Sequence, residues 1–235
     1  TAVNLWYHDT GKTFALNLAK IGQQALQRMQ EDFGFTPSRP VQIILYNGAE
    51  EVFNSGLYFT EWVGGYASLA YGLVVIGVEE GDYDWGEEVI THELGHLVSN
   101  ELTHNCLAVE MPTWLSEGFS MYAEGGTDSV SKGRVMKALE TGTLPALRTL
   151  AAGFAAGDVA ASISYAQSAL VFDFLLQEYG TEKLMQLFAA IQTGTLAEDA
   201  LRQVYDLDVD GVDSAWRASL GFAAQEAQPT ATATP

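Results

Sequence analysis

The chain has little basic charge for its length. Its 235 residues contain 11 Lys and Arg against 30 Asp and Glu, which gives a formal net charge of −19 at pH 7. Proteins bind nucleic acid largely through Lys and Arg on phosphate, so this balance excludes nucleic acid as an expected partner. It also disfavours binding to anionic membrane surfaces. The acidic excess is explained by solubility or, alternatively, by a preference for basic substrates.

Cysteine and long apolar runs are also scarce. Cys106 is the one cysteine, so no disulfide can form within the chain and a cysteine-rich structural zinc site is excluded. The longest apolar candidate, 66–78, is shorter than the roughly 18 residues of a membrane helix. No charged segment followed by an apolar one opens the chain, although residue 1 need not be the natural start. We therefore expect no membrane span in these residues and leave open an anchor outside them.

The first half of the chain alternates between strand and helix patterns. Period-two or β-branched segments predict strands at 3–7, 41–46, 66–70 and 73–78. Helical spacing predicts helices at 14–33, at 49–54 and at 85–102, the last with Asp84 and Glu87 as a capping box. The acidic run 79–88 is then a loop and a helix start, with a second metal site as the weaker alternative.

The second half, after Pro112, has helical patterns throughout. The predicted helices cover 113–124, 129–140, 162–179, 181–192, 196–204 and 211–220. The fold class is therefore α+β, with a small mixed N-terminal sheet and its helices followed by a mostly helical C-terminal part. We expect one domain over 1–222, with parts at 1–111 and 112–222 and a cleft between them. The Thr/Pro/Ala-rich segment 223–235 reads as a linker or tail, or as a frayed end.

One motif carries chemistry. His92-Glu93-Leu94-Gly95-His96 has the form HExxH, and a helix brings residues four apart to within about 40° of one face. Both imidazoles can then bind one metal ion, and Glu93 lies beside that ion, where it can accept a proton from a bound water. Catalytic zinc takes three protein ligands and leaves one position open. His92 and His96 are predicted to be two of those three ligands.

The third ligand is predicted to be Glu117, in the segment Trp114-Leu115-Ser116-Glu117-Gly118. Its apolar and small neighbours favour an inward-facing position over a surface one. His104 is the rival ligand, but the longer HExxHxxGxxH pattern needs Gly and His where this chain has Ser99 and Leu102. His8 has no partner at a ligand spacing and is expected at the surface.

These motifs resemble those of the gluzincin metallopeptidases, of which thermolysin is the best known. HELGH and WLSEG, with 20 residues between His96 and Glu117, are most similar to the motifs of bacterial peptidase MA-like domains. The segments Gly64–Ala67, Ser164–Ser168 and Ala215–Arg217 support the resemblance across most of 1–220. It implies a zinc-dependent peptidase acting on a peptide or protein substrate. It also implies that Tyr165 donates a hydrogen bond to the oxyanion of the reaction, rather than only packing against the core.

Two departures from the family pattern refine this expectation. The aminopeptidase branch carries a glutamate that binds the substrate's amino terminus, whereas Gly64–Ser68 contains no carboxylate, so an endopeptidase is favoured. Thermolysin-like enzymes have an aspartate four residues after the third ligand, whereas this chain has Met121. The sequence therefore names no residue that orients His92 or His96.

The substrate is expected to bind along a strand. A peptide can add to the edge of a sheet through main-chain hydrogen bonds, which gives affinity with little sequence preference. Gly65, Tyr66 and Ala67 are the predicted substrate-binding residues, although either strand of the 66–78 region could be core structure instead. A zinc-bearing binding module without turnover is the alternative function. We expect a location outside the cytoplasm, in a bacterial envelope or secreted, and make no prediction of oligomeric state.

Overall fold

The computed structural model describes residues 3–54, 64–154 and 158–222. The N-terminal part contains four strands and three helices. The strands are β1 Val3–Tyr7, β2 Val41–Tyr46, β3 Gly65–Ser68 and β4 Leu73–Gly77. The helices are α1 Lys12–Phe33, α2 Ala49–Asn54 and α3 Tyr83–Thr103. The C-terminal helices are α4 Thr113–Glu124, α5 Ser129–Glu140, α6 Asp158–Gln192, α7 Ala197–Tyr205 and α8 Val209–Ser219. The predicted α+β class is confirmed.

The four strands form one small mixed sheet. Their order is β1-β2-β4-β3, with β1, β2 and β4 parallel and β3 antiparallel to β4. Alternate residues of β2 (Val41, Ile43 and Leu45) are buried in the core. Helices α1 and α3 pack closely, because Gly22 has no Cβ and one built there would lie 2.9 Å from Ile90 Cδ1. This packing fixes α3, the HExxH helix, beside the sheet.

Helix α4 packs between α3 and α6, and two glycines set its distance from both. A Cβ on Gly95 would lie 2.6 Å from the Cα of Ser120 on α4. A Cβ on Gly118 would lie 2.7 Å from the main-chain oxygen of Ser168 on α6. Because both glycines belong to the motif segments, each motif supplies the close helix contact as well as a functional side chain. This contact brings Glu117 to the HExxH face.

A buried ion pair joins α8 to the loop before the 3₁₀ turn 147–150. Arg217 Nε donates to Asp213 Oδ1 at 2.8 Å, and both side chains are almost fully buried. Arg217 Nη2 also donates to the main-chain oxygen of Pro145 at 2.9 Å, and Asp213 Oδ2 accepts from the main-chain nitrogen of Leu147. Trp216 beside them is buried in the core. The C-terminal helix is therefore fixed to the helical part through satisfied polar contacts.

Helix α6 is continuous in outline but is broken at Gly180. Gly180 has φ 80 and ψ 165, so the predicted division into 162–179 and 181–192 is correct in position. The segment Val159–Gln192 is the one helix in the described residues that is long and apolar enough to cross a membrane, by length and composition alone. Its buried residues include Phe172, Leu175 and Phe188. A helix at the centre of a protein core has the same composition, so the expectation of no membrane span stays a prediction.

Several predicted boundaries differ from the structure, and helix α6 begins at Asp158 rather than at 162. Helix α3 begins at Tyr83 rather than near Trp85, and its N-cap is Asp82, whose Oδ1 accepts from the Trp85 main-chain nitrogen at 3.2 Å. Asp84 lies inside the first turn, so the predicted capping box does not form. The strand predicted at 66–70 runs from Gly65 to Ser68, because the chain turns into a 3₁₀ turn at 69–71 and Gly72 has φ +60. The predicted tail 223–235 lies outside the described residues.

Candidate metal centre

Three side chains converge at the junction of α3 and α4. His92, His96 and Glu117 each present one ligand atom, and these atoms lie within 4.8 Å of one another. The two Nε2 atoms are 3.1 Å apart, and Glu117 Oε2 lies 3.2 Å from His92 Nε2 and 3.3 Å from His96 Nε2. Ligands about 2.0–2.1 Å from a tetrahedral zinc ion are about 3.3 Å apart, so the three atoms fit zinc.

The chemistry of the donor atoms also fits a metal. Glu117 Oε2 is buried and has no hydrogen-bond partner among the described residues. A buried carboxylate oxygen without a partner is costly unless a cation or a donor satisfies it. The two imidazole nitrogens that face it carry lone pairs suited to zinc. The site is therefore positioned to bind a metal ion through these three residues.

Two residues that the sequence did not predict orient the imidazoles. Glu124 Oε1 accepts a hydrogen bond from His92 Nδ1, and Ser116 Oγ lies 3.0 Å from His96 Nδ1. A carboxylate can only accept, so His92 Nδ1 carries a proton, and Nε2 is the nitrogen that can bind a metal ion once it is deprotonated. Met121, which stands where thermolysin-like enzymes have aspartate, is not part of this arrangement.

Glu124 could have been found from helical spacing. It follows Glu117 by seven residues on α4, and two turns of a helix return to nearly the same face. A carboxylate at that position is aimed at the same cluster as Glu117. Thermolysin-like enzymes have an aspartate four residues after the third ligand, where this chain has Met121. The orienting carboxylate is present in this chain, three residues later.

The electrostatics of the cluster favour a cation. Burial lowers the pKa of His92, but its contacts with the carboxylates of Glu117 and Glu124 outweigh burial and raise the pKa to about 10. Burial raises the pKa of Glu117, and its contacts with His92 and His96 outweigh that effect and lower the pKa to about 2. In the metal-free protein a proton on His92 therefore supplies the positive charge that a bound metal would bring.

Glu93 occupies the side of α3 that faces strand β3. Its side chain is buried, with 5% of the residue exposed. Burial is the largest effect on the Glu93 carboxyl and raises its pKa, while the neighbouring imidazoles of His96 and His92 act in the opposite direction. A Cβ on Gly65 would lie 2.6 Å from Glu93 Cγ, so only glycine lets β3 come this close. Glu93 therefore lies between the edge strand and the ligand cluster.

Strand β3 is an edge strand, and its register shows which main-chain groups point outward. Gly77 N donates to Gly64 O at 2.9 Å, and Gly65 and Ala67 are paired with Ile76 and Val74. Hydrogen-bonded and non-hydrogen-bonded pairs alternate in an antiparallel ladder, so the N–H and C=O of Gly65 and Ala67 point away from β4. No other strand among the described residues pairs with this edge.

Comparison with known protein families agrees with this geometry. A family model described as the peptidase MA superfamily matches residues 21–221, which is most of the chain. The chain belongs to the peptidase MA superfamily. None of the curated proteins compared with it matches. Membership of this superfamily supports a metallopeptidase-like function and confirms the resemblance inferred from the two motifs.

Tyr165 lies beside the ligand cluster of this superfamily member. Its ring centroid is 6.1 Å from that of His92, with the rings inclined at 67°. Burial raises the pKa of Tyr165 to about 12, and the carboxylates of Glu117, Glu93 and Glu124 add to the increase. The phenol therefore stays protonated at neutral pH and can act as a hydrogen-bond donor near the cluster. Its catalytic role stays a prediction.

The remaining histidines of the peptidase MA domain lie outside the cluster. His104 is the residue that follows α3, and it is exposed. His8 is also exposed and contacts Glu51, with Nδ1 3.4 Å from Oε2. In the part of the chain that the structure describes, His92, His96 and Glu117 form the one group with metal-ligand geometry. Neither His8 nor His104 belongs to this group.

Proposed function

We propose that this domain is a zinc-dependent endopeptidase. The observation that carries the proposal is the convergence of His92, His96 and Glu117, with the buried carboxylate of Glu93 beside β3, the edge strand of the described sheet. Two histidines and one glutamate leave one position of a tetrahedral zinc ion open. Membership of the peptidase MA superfamily supports a peptidase in general, and the site residues support the zinc-dependent type.

Each residue near the cluster has a definite task in this proposal. A zinc ion held by the three ligands would polarise the scissile carbonyl and lower the pKa of a bound water to about 7. Glu93 takes the proton of the attacking water and returns it to the leaving nitrogen. Its burial suits this task, because a raised pKa makes the carboxylate a stronger proton acceptor. Tyr165 donates a hydrogen bond to the oxygen on which negative charge develops.

The edge of β3 holds the substrate in this proposal. An extended peptide forms main-chain hydrogen bonds with Gly65 and Ala67, whose polar groups point outward, and lies next to Glu93. The Tyr66 main chain is directed to β4 instead, so Tyr66 can contribute only its side chain, which is 41% exposed. Main-chain recognition suits an endopeptidase because it needs no particular end of the substrate.

The base is tested with Glu93→Gln. The amide keeps the size of the side chain and cannot accept the proton, so we expect full zinc content and a loss of cleavage of an unfolded protein substrate. The measurements are zinc by plasma mass spectrometry and cleavage by mass spectrometry, with and without chelator. Cleavage at the wild-type rate by this variant contradicts the mechanism. Zinc-loaded wild-type protein that binds peptides without cleaving any supports the alternative of a binding module.

The third ligand is tested with Glu117→Ala, matched by His104→Ala. Loss of Glu117 removes one of three ligands, so the zinc affinity should fall steeply. The exposed His104 provides the control, and its substitution should leave the zinc affinity unchanged. An unchanged zinc affinity in Glu117→Ala together with a lower affinity in His104→Ala would assign the third ligand to His104.

The endopeptidase type is tested with one peptide in free and N-acetylated forms. Gly64–Ser68 offers no carboxylate to an amino terminus, so both forms should be cleaved at the same internal bonds. Cleavage of the free form alone, one residue at a time, would identify an aminopeptidase.

A further inference from the structure

The orientation of Tyr165 depends on ring contacts. Among the described residues, none forms a hydrogen bond with its hydroxyl. Its ring instead contacts both the imidazole of His92 and the ring of Phe154. The Phe154 and Tyr165 centroids are 4.9 Å apart and the rings are perpendicular, at 89°. This edge-to-face geometry is the favoured one for aromatic pairs.

We propose that Phe154 is a positioning residue that holds the Tyr165 ring where its hydroxyl can reach the developing oxyanion. The inference rests on the proposed function and deepens it, since it assigns Phe154 a role that acts through Tyr165. His92 and Phe154 each restrict the positions that the Tyr165 ring can adopt. Without Phe154 the phenol keeps its contact with His92 but gains rotational freedom away from the reacting oxygen.

The chain fixes Phe154 in place through the segment before it. Ala151 O accepts from the main-chain nitrogen of Thr113 at 3.0 Å, which ties this segment to the first residue of α4. Gly153 has φ +138, a conformation that side chains rarely adopt, and this turn precedes Phe154. Phe154 also packs against the hydrophobic core. The helix that carries Glu117 and the ring that supports Tyr165 are therefore held by one segment.

The effect of Phe154 should appear in turnover. An edge-to-face pair favours one ring geometry over others by a factor of up to about ten, so we expect Phe154→Ala to lower kcat about tenfold. The KM should change by less than about twofold, because the substrate main chain binds to β3. The zinc content should stay at the wild-type level, because no ligand is disturbed. Phe154→Tyr keeps the ring and should restore most of the kcat.

A double-mutant cycle separates positioning from general damage. In a Tyr165→Phe background the hydroxyl is absent, so adding Phe154→Ala should lower kcat no further. Phe174→Ala is the matched control, because Phe174 forms a perpendicular pair with Tyr179 elsewhere on α6, with centroids 6.0 Å apart. It should leave kcat unchanged. An additive loss in the double variant, or an equal loss in the control, overturns the inference.

A measurement without turnover tests the contact itself. Unfolding in urea of Phe154→Ala, Tyr165→Ala and the double variant should show coupling, with the double variant less destabilised than the sum of the single ones. Additive effects would overturn the inference and leave the proposed function intact. Wild-type protein that holds zinc and cleaves no peptide would overturn the proposed function, and the positioning role would fall with it.

Discussion

Replacing Gly65 with alanine tests how closely the edge strand approaches the proposed base. The new Cβ would lie 2.6 Å from Glu93 Cγ and 3.1 Å from both Cδ and Oε1. Ordinary contacts of this kind begin at 3.4 Å, so strand and side chain must separate by about 0.8 Å. Gly65 does not have a positive φ, so alanine brings no backbone strain there. The substitution therefore acts through this one contact.

A shift of this size should reduce activity far more than stability. A displacement of about 1 Å in a catalytic group can cost about 100-fold in rate, and we expect a loss of kcat/KM of that order. Overpacking should lower the free energy of unfolding by about 1–3 kcal/mol. The zinc content should not change, because the carboxylate of Glu93 is not a ligand in this site.

The assay compares Gly65→Ala with Gly133→Ala. Gly133 lies on the exposed side of α5, where an added Cβ meets nothing within 4 Å. Alanine there should leave kcat/KM unchanged and add about 0.5–1 kcal/mol of stability, because glycine weakens a helix interior. Wild-type kcat/KM in Gly65→Ala, with wild-type zinc content and unfolding midpoint, would refute the reasoning that β3 and Glu93 act in contact.

Three further predictions concern the metal centre and the core. Glu124→Ala removes the carboxylate that orients His92 and should weaken zinc binding about 10–100-fold in a chelator competition; unchanged affinity would dismiss the orienting role. Zinc must displace the proton of His92, whose pKa is about 10 in the metal-free protein, so the apparent affinity should rise about tenfold per pH unit from pH 7 to 9. A flat profile would contradict this. Asp213→Ala leaves Arg217 buried without its partner and should cost about 3–5 kcal/mol in urea unfolding, whereas Asp210→Ala, which breaks an exposed pair with Arg148, should cost less than about 1 kcal/mol; equal losses would contradict the difference in burial.

Local sequence patterns predicted most of the helices and strands, because the residues that start and end these elements lie within them or next to them. Helices 113–124 and 129–140 agree with the structure at both ends, since Pro112 and Gly125 bound the first and the second begins after its N-cap Asp128. The start of α3 was predicted wrongly because Asp82 and Asp84 are both plausible caps. The Trp85 main-chain nitrogen could donate to either carboxylate, and the turn before the helix decides between them. Main-chain hydrogen bonds to Glu79 and Gly81, outside the helix, form that turn.

The sequence by itself determined the ligand set that we predict. HExxH and WLSEG carry the spacing that puts two imidazoles on one helical face and a carboxylate on the next helix, and the absence of other histidine or cysteine clusters left few alternatives. The sequence also determined that cysteine chemistry and nucleic-acid binding are not expected. These conclusions depend on residue types and helical periods, which are properties of the chain alone.

Only the tertiary structure decided how the centre is supported. Glu124 and Ser116 orient the imidazoles, Gly65 brings the edge strand to Glu93, and Phe154 meets the Tyr165 ring. Most of these contacts join segments far apart in the chain, so the residue spacing of a helix or strand does not predict them. They arise because the helices and the sheet pack at distances fixed by the whole core, and a side chain's partner follows from that packing.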